Sequence, residues 1–178
     1  MSDPEILRGE GFTLRAFRSD DVDGLLAVAD DARVTRWMSS RFPHPYTRAD
    51  AEFWIAKTTS ESPTETFALE IDGRIAGAVA FEEYHGERTG VAEFGYWITP
   101  TYWGRGIITA ASRLLVRHAF EVRGLRRLEA HVFAPNIAFA RVLEKCGFVK
   151  EATMRQRVTD RAGDVLDTYL YAKLATDG

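Results

Sequence analysis

The stretch ITPTYWGRGIITAASRLL, residues 98–115, constrains the fold most, because it joins a strand to a long helix through a proline and two glycines. Pro100 ends the strand, and Gly104 and Gly106 allow backbone angles that other residues disfavour. The apolar residues that follow recur at helical spacing until Gly124 ends the helix. The N–H groups and positive dipole at the start of such a helix favour a phosphate or pyrophosphate ligand. A plain strand-to-helix turn explains the segment equally well.

Two other phosphate-binding motifs fit this sequence poorly. A Rossmann fingerprint needs a third glycine where Thr109 stands and a shorter connection from the strand. A P-loop needs a Gly-Lys-Ser/Thr triplet, which the sequence does not contain. Nucleotide hydrolysis and dinucleotide redox chemistry are therefore disfavoured.

The rest of the chain alternates between strand and helix patterns. Asp72-Gly73 predicts a hairpin, and Thr47 is typical of a helix N-cap. Hairpin-linked strands with two late helices predict an α+β fold with a mixed twisted sheet of six to seven strands. No linker or repeat interrupts the chain, which predicts one domain over residues 1–178. The predicted strands are 12–16, 66–71, 74–81, 91–98, 128–133, 148–158 and 165–174. The first predicted helix is capped within 19–21 and runs through 29, and the others are 34–38, 48–58, 107–122 and 136–146.

Charge and composition exclude several classes of partner. The sequence has 23 lysines and arginines against 26 acidic residues, a net charge of −3, so it lacks the positive field that nucleic-acid binding requires. Its apolar runs are far shorter than the ~20 residues that span a bilayer, so no membrane partner is expected. The single cysteine, Cys146, lies on the apolar stripe of a predicted helix, which favours a core thiol in a protein of the reducing cytoplasm.

Two motifs resemble those of a known family. GYWITPTYWGRGIITAA, residues 95–111, resembles the coenzyme-binding motif of the GNAT acetyltransferases, Arg/Gln-x-x-Gly-x-Gly/Ala. APNIAFARVLEKCGF, residues 134–148, resembles their second motif. FTLRAFRSDD, FPHPYTRADAEFWI and DVLDTYLYAKL extend the resemblance to the branch that contains the ribosomal-protein N-terminal (alanine/serine) acetyltransferases. The resemblance implies a three-layer GNAT fold with helices on both faces of the sheet, acetyl-CoA as cosubstrate, and no metal ion.

The same resemblance implies which residues contact acetyl-CoA. Backbone N–H groups of 105–109 would hold the pyrophosphate, and the backbone of 97–98 would pair with the pantetheine amides. Asn136 would hydrogen-bond the pantetheine arm, although it is also typical of a helix N-cap. The implied set is Trp97, Ile98, Trp103, Gly104, Arg105, Gly106, Ile107, Ile108, Thr109, Asn136 and Phe139.

Three of these positions depart from the family pattern. Trp103 replaces the first Arg or Gln, and Ile108 replaces the small third residue. Because the expected phosphate donors are main-chain groups, coenzyme binding is expected to persist. Phe139 stands where this branch commonly has a serine, so no hydroxyl is available there to protonate the leaving thiolate.

Glu93 is the candidate general base. In the strand VAEFGYWI it shares a face with Gly95 and Trp97, and by the resemblance some family members have a catalytic glutamate on this strand. A half-exposed strand carboxylate without a catalytic role explains the residue equally well. His118 falls within an apolar arc and is interpreted as a core residue, whereas His131 is expected in a strand.

The sequence leaves three functions open. The first is acetylation of a protein or peptide N-terminal α-amine, and the second is acetylation of a small amine such as a polyamine, an amino acid or a drug. The third is an acyl-CoA-binding module without turnover, which Phe139 favours. Relatives in this branch are often dimers, so a homodimer is an expectation.

Overall fold

The computed structural model describes residues 6–177 and contains eight strands and five helices within that range. The strands are β1 Ile6–Gly9, β2 Phe12–Ala16, β3 Thr66–Ile71, β4 Arg74–Glu83, β5 Val91–Ile98, β6 Arg127–Phe133, β7 Val149–Thr159 and β8 Val165–Leu174. The helices are α1 Val22–Ala29, α2 Ala32–Thr35, α3 Arg48–Thr59, α4 Ile107–Glu121 and α5 Ile137–Lys145. No helix of this described part is long and apolar enough to cross a bilayer.

The strands follow the order β1-β2-β3-β4-β5-β6-β8-β7 in one mixed sheet. β5 and β6 pair in parallel, whereas the β1–β2, β2–β3, β3–β4, β6–β8 and β7–β8 pairs are antiparallel. The predicted α+β class with a mixed sheet is confirmed. The predicted strand number of six to seven is wrong, because β1 adds a short edge strand whose four residues carry no alternating apolar pattern.

Turn and cap chemistry explains where most elements begin and end. Asp72 and Gly73 both have positive φ, 50° and 73°, which confirms the hairpin between β3 and β4. The Thr47 hydroxyl accepts from the Asp50 N–H, and the Asp50 carboxylate accepts from the Thr47 N–H, which confirms the cap of α3.

The first helix starts after residues 19–21, as predicted, and the second does not start where it was predicted. Asp21 is the N-cap residue of α1 but makes no side-chain cap bond, because its carboxylate bonds the buried guanidinium of Arg15 and the Arg18 N–H. The second helix occupies Ala32–Thr35 instead of 34–38, because the Asp31 side chain caps it at the Arg33 N–H.

Two compact units make up the chain. The first contains the described residues up to Ala80 together with Tyr96–Ala111, and the second contains Phe81–Gly95 together with the described residues from Ser112 onward. The core of the first unit includes Phe17, Leu25, Ile55, Ala68 and Trp97. Fully buried side chains of the second unit include Phe81, Phe94, Leu115, Leu128 and Leu143. The single domain over 1–178 stays a prediction, and its terminal residues 1–5 and 178 lie outside the described residues.

Candidate active site

The connection between β5 and α4 is a glycine turn with an open surface. Gly104 and Gly106 have φ values of 74° and 77°, in the left-handed region that costs other residues about 1–2 kcal/mol. A Cβ added at either glycine would meet no atom within 4 Å. The glycines are therefore required by the backbone conformation, and the space above the turn is accessible to a ligand.

The start of α4 has the features that favour an anion. The first helical hydrogen bond runs from the Ala110 N–H to the Gly106 carbonyl, 3.0 Å, and the N–H groups of 106–108 precede it. Arg105 is exposed, with its guanidinium carbon 5.4 Å from the centre of the Tyr102 ring. The positive end of the helix dipole adds to the charge of Arg105, so these residues fit a phosphate or pyrophosphate group.

Trp103 is hydrogen-bonded to the last residue of β5. Its indole N–H donates to the Ile98 carbonyl at 2.8 Å, and the side chain is half exposed. Trp97 and Ile98 have buried side chains, and the Phe42 ring packs edge-on against Trp97 at 5.8 Å. Only the backbone of 97–98 is thus available to a ligand, and the Trp103 indole N–H already occupies one lone pair of the Ile98 carbonyl.

Asn136 caps helix α5. Its side-chain oxygen accepts from the Phe139 N–H at 3.2 Å, which confirms the N-cap interpretation. Phe139 lies half-buried in the first turn of the same helix. The cap uses the amide oxygen of Asn136, so the amide nitrogen keeps its donor capacity for another role.

Glu93 lies at the point where the parallel pairing of β5 and β6 ends. The pairing joins 91–93 of β5 to 127–129 of β6, with Glu93 opposite Glu129. The half-exposed Glu93 carboxylate accepts from the Tyr84 hydroxyl at 3.0 Å, and its other oxygen is 3.3 Å from Nδ1 of His131. A carboxylate, a phenol and an imidazole therefore meet at one open position of the second unit.

Charged neighbours complete this cluster. The Arg88 guanidinium lies 3.3 Å from the centre of the Tyr84 ring and also pairs with Glu129. Glu129 is buried and accepts a second guanidinium bond from Arg127 at 3.1 Å. Burial, followed by the negative charge of Glu93, raises the pKa of Tyr84 to about 12, so its hydroxyl stays a donor near neutral pH.

Gly95 follows Glu93 on the same face of β5. A Cβ added at Gly95 would meet no atom within 4 Å, and its φ lies outside the left-handed region. The strand therefore has an open notch beside the Glu93 carboxylate.

The structure brings some of the predicted residues together. The segment 97–109 forms one continuous strand end, turn and helix start in the first unit, whereas Glu93, Asn136 and Phe139 belong to the second. Sequence reasoning missed Tyr84 and His131 as partners of Glu93. The signal that could have found His131 is its placement on the same face of β6 as Glu129, once the parallel register is known.

Two other candidates are core residues, as predicted. Cys146 is buried, and burial raises the pKa of its thiol to about 11, so it is a poor nucleophile near neutral pH. His118 is buried beside the Phe81 ring, 6.4 Å away. Within residues 6–177, no three histidine, cysteine or carboxylate side chains are grouped to hold a metal ion.

Sequence comparison relates the chain to N-acetyltransferases. A family model described as the acetyltransferase (GNAT) domain matches residues 12–149. The chain is 27% identical to the uncharacterized N-acetyltransferase p20 of Bacillus licheniformis over 96% of both proteins. It is 28% identical to YdaF of Bacillus subtilis (strain 168), a proposed ribosomal N-acetyltransferase, over 82% of both. It is 29% identical to spermidine N(1)-acetyltransferase of Escherichia coli (strain K12), over 79% of this chain and 74% of that protein.

Solved structures share the fold. A GCN5-related N-acetyltransferase from Brucella melitensis aligns over 99% of this chain and 81% of its own, with a TM-score of 0.80 and 26% identity. RimL, a ribosomal L7/L12 alpha-N-protein acetyltransferase in complex with coenzyme A, aligns over 96% and 98%, with a TM-score of 0.85 and 20% identity. The mixed sheet and its helices thus form the fold of these acetyltransferases. The chain belongs to the GNAT acetyltransferase family, and it is an N-acetyltransferase.

Proposed function

We propose that the protein transfers the acetyl group of acetyl-CoA to the α-amine of a protein or peptide N-terminus. The observation that carries the proposal is the half-exposed Glu93 carboxylate, held by Tyr84 and His131 where the β5–β6 pairing ends. The similarity to YdaF and the fold shared with RimL support a polypeptide acceptor.

The glycine turn and its flanks are the proposed site for acetyl-CoA. The backbone of 105–109 would bind the pyrophosphate, supported by the open left-handed glycines and the positive helix end. The backbone of 97–98 would pair with the pantetheine arm, and the Asn136 amide nitrogen would donate to it while the oxygen remains the cap. Trp103, Ile108 and Phe139 would contribute apolar contacts.

The transfer requires two proton movements. The neutral amine nitrogen attacks the thioester carbonyl carbon, a C–N bond forms, and the C–S bond breaks. Glu93 takes the proton that the nitrogen loses, and Tyr84 and His131 hold the carboxylate in place. Because Phe139 offers no hydroxyl, the thiolate takes its proton from water.

A small-molecule amine is the second candidate acceptor. The similarity to spermidine N(1)-acetyltransferase over 79% of this chain favours it, because that relative acts on a polyamine.

The test is an acceptor screen that follows release of free thiol from acetyl-CoA. Peptides with a free α-amine and blocked lysines are compared with polyamines, amino acids and amine drugs at equal concentration. We expect the highest kcat/KM for a peptide. A polyamine with the higher kcat/KM would replace the proposed acceptor, and a lack of thiol release with every peptide would contradict the proposed transfer.

We propose that residues 1–178 act as one N-acetyltransferase domain in the cytoplasm, where the buried Cys146 thiol remains reduced. We also propose a homodimer as the working form, which sedimentation equilibrium would test.

A further inference from the structure

The glycine at position 95 has no structural explanation in its own surroundings. Gly77 of β4 shows what such an explanation looks like, because a Cβ there would collide with the Trp97 carbonyl oxygen. Gly95 lies in the middle of β5, has an ordinary strand φ, and would place a Cβ in open space. A glycine inside a strand costs stability because it gains no side-chain contacts and loses more backbone entropy. Its presence therefore points to a group that approaches the strand at this position.

The open notch is next to a reactive carboxylate. Glu93 and Gly95 share one face of β5, with their Cα atoms about 7 Å apart at ordinary strand geometry. Tyr84 and His131 hold the Glu93 carboxylate, whereas the guanidinium partners Arg88 and Arg127 both pair with Glu129. Glu93 thus lies on the face of β5 that carries the notch and has no guanidinium partner among the described residues.

We propose that the acceptor amine binds over Gly95 with its nitrogen directed at Glu93, so that the missing side chain at position 95 sets the room for the acceptor. The inference rests on the proposed acetyl transfer and names the seat of the nitrogen. A cationic ammonium is attracted to the carboxylate, and the neutral amine that forms on proton loss faces the same oxygen. The recognised chemistry is a primary amine on an unhindered carbon.

The first experiment is a size series at position 95. Gly95→Ala should lower kcat/KM for the acceptor about tenfold, and Gly95→Val should lower it about a hundredfold, since single methyl groups in a substrate pocket have effects of this size. The Kd of acetyl-CoA should stay within about twofold of the wild type, because the notch receives the acceptor. The thermal midpoint of Gly95→Ala should not fall, because its Cβ enters open space at an ordinary φ.

A second measurement does not depend on turnover. A conjugate that joins the sulfur of coenzyme A through an acetyl bridge to a peptide N-terminal nitrogen should bind the wild type more tightly than coenzyme A alone, and Gly95→Val should lose this advantage. Gly124→Ala is the control, because Gly124 also has open space for a Cβ but has a φ of 66°, so it loses stability and should keep the conjugate.

The outcomes separate the two proposals. A wild type without thiol release for any amine removes the proposed transfer and this inference with it. Wild-type turnover with an unchanged acceptor kcat/KM in Gly95→Val overturns the inference alone. A loss of acetyl-CoA affinity as large as the loss of acceptor kcat/KM in the Gly95 variants also overturns the inference, because the notch would then bind the coenzyme.

Discussion

Two carboxylates that face each other across β5 and β6 have different partners. Glu129 is buried and accepts from two guanidinium groups, Arg88 and Arg127. Glu93 is half exposed and is bonded by the Tyr84 hydroxyl and approached by His131. Of the pair, Glu93 is the carboxylate that is open to solvent and free of guanidinium partners among the described residues, so it is the one placed to meet an acceptor amine.

Glu93→Gln should lower kcat about a hundredfold or more, the usual contribution of a positioned base. The Kd of acetyl-CoA should change little, because the substitution keeps the size of the side chain. The acidic limb of the pH–rate profile should disappear with the carboxylate. Initial rates at saturating acetyl-CoA, measured across pH, test this, and a persistent limb that is lost in His131→Gln would assign the base to the imidazole.

Tyr84→Phe tests the hydrogen bond that positions the Glu93 carboxylate while leaving the carboxylate itself in place. The ring can still stack on Arg88, but the hydroxyl donor to Glu93 is lost. We expect kcat to fall about tenfold with the acceptor KM nearly unchanged. Because the pKa of Tyr84 is raised to about 12, the hydroxyl is protonated throughout the assay range, and the loss should be independent of pH below about 10. A loss that varies with pH below that value would show that Tyr84 itself exchanges the proton.

At the scale of elements, the turn before α4 couples a backbone requirement to a proposed binding role. Gly106→Val should cost about 1–2 kcal/mol of stability, because φ there is 77°. It should also weaken acetyl-CoA about tenfold, since a branched side chain enters the space above the turn. Calorimetric titration of the folded variant measures this.

Gly124→Val is the matched control for the turn. Like Gly106, Gly124 has a positive φ, 66°, and open space for a Cβ, but it lies after the C-terminal end of α4. We expect a similar loss of stability with acetyl-CoA affinity unchanged. If both variants lost affinity for acetyl-CoA equally, the loss would come from lower stability, and the proposed pyrophosphate site on the backbone of 105–109 would be contradicted.

The cap of α5 and the proposed pantetheine contact use different atoms of Asn136. Asn136→Asp keeps an oxygen for the Phe139 N–H but removes the amide donor, whereas Asn136→Ala removes both. The thermal midpoint should fall only in Asn136→Ala, by an amount that reflects about 1 kcal/mol for a lost cap. Acetyl-CoA should bind about tenfold more weakly to both variants, as one hydrogen bond accounts for. Full affinity in Asn136→Asp would leave Asn136 as a cap alone.

Sequence patterns predicted those elements whose signals lie within a few consecutive residues. The Asp72-Gly73 hairpin and the Thr47 cap need only local backbone angles and short-range hydrogen bonds. The side-chain cap bond expected for α1 is absent, because the Asp21 carboxylate is bonded by Arg15, a partner in β2 that no local pattern specifies. Edge strand β1 was missed because its four residues show no periodic apolar signal.

The residues of the candidate site divide in the same way into those that local sequence predicts and those that it does not. The glycine turn and the Asn136 cap could be predicted, because each depends on adjacent residues. The meeting of Glu93 with Tyr84 and His131 could not, because these residues are 9 and 38 positions away along the chain. Only the parallel register of β5 on β6 brings His131 to Glu93, and the alternation of apolar residues within a strand does not encode the register between strands.

At the scale of the whole molecule, acceptor choice depends on how much neutral amine each acceptor offers. The net charge of −3 supplies only a weak general attraction for cations, so it does not decide between amines. With reference pKa values near 7.7–8.0 and 10.4, roughly a tenth of an α-amine but only about 0.04% of a lysine amine is neutral at pH 7. The difference exceeds about two hundredfold, or about 3 kcal/mol.

We therefore predict that peptide α-amines are acetylated faster than lysine side chains. One positioned base lowers the barrier by about as much as the free-energy difference between the two amines. A site with Glu93 as its only base and no hydroxyl at Phe139 would therefore use that whole contribution to deprotonate a lysine. Rates are compared for one peptide with a free N-terminus and blocked lysines, and for the same peptide blocked the other way. The preference should narrow as pH rises from 7 toward 9, because the α-amine is then mostly neutral while the neutral fraction of lysine still grows. Faster lysine acetylation at pH 7 would contradict the prediction and require a stronger proton acceptor than the Tyr84–Glu93–His131 cluster.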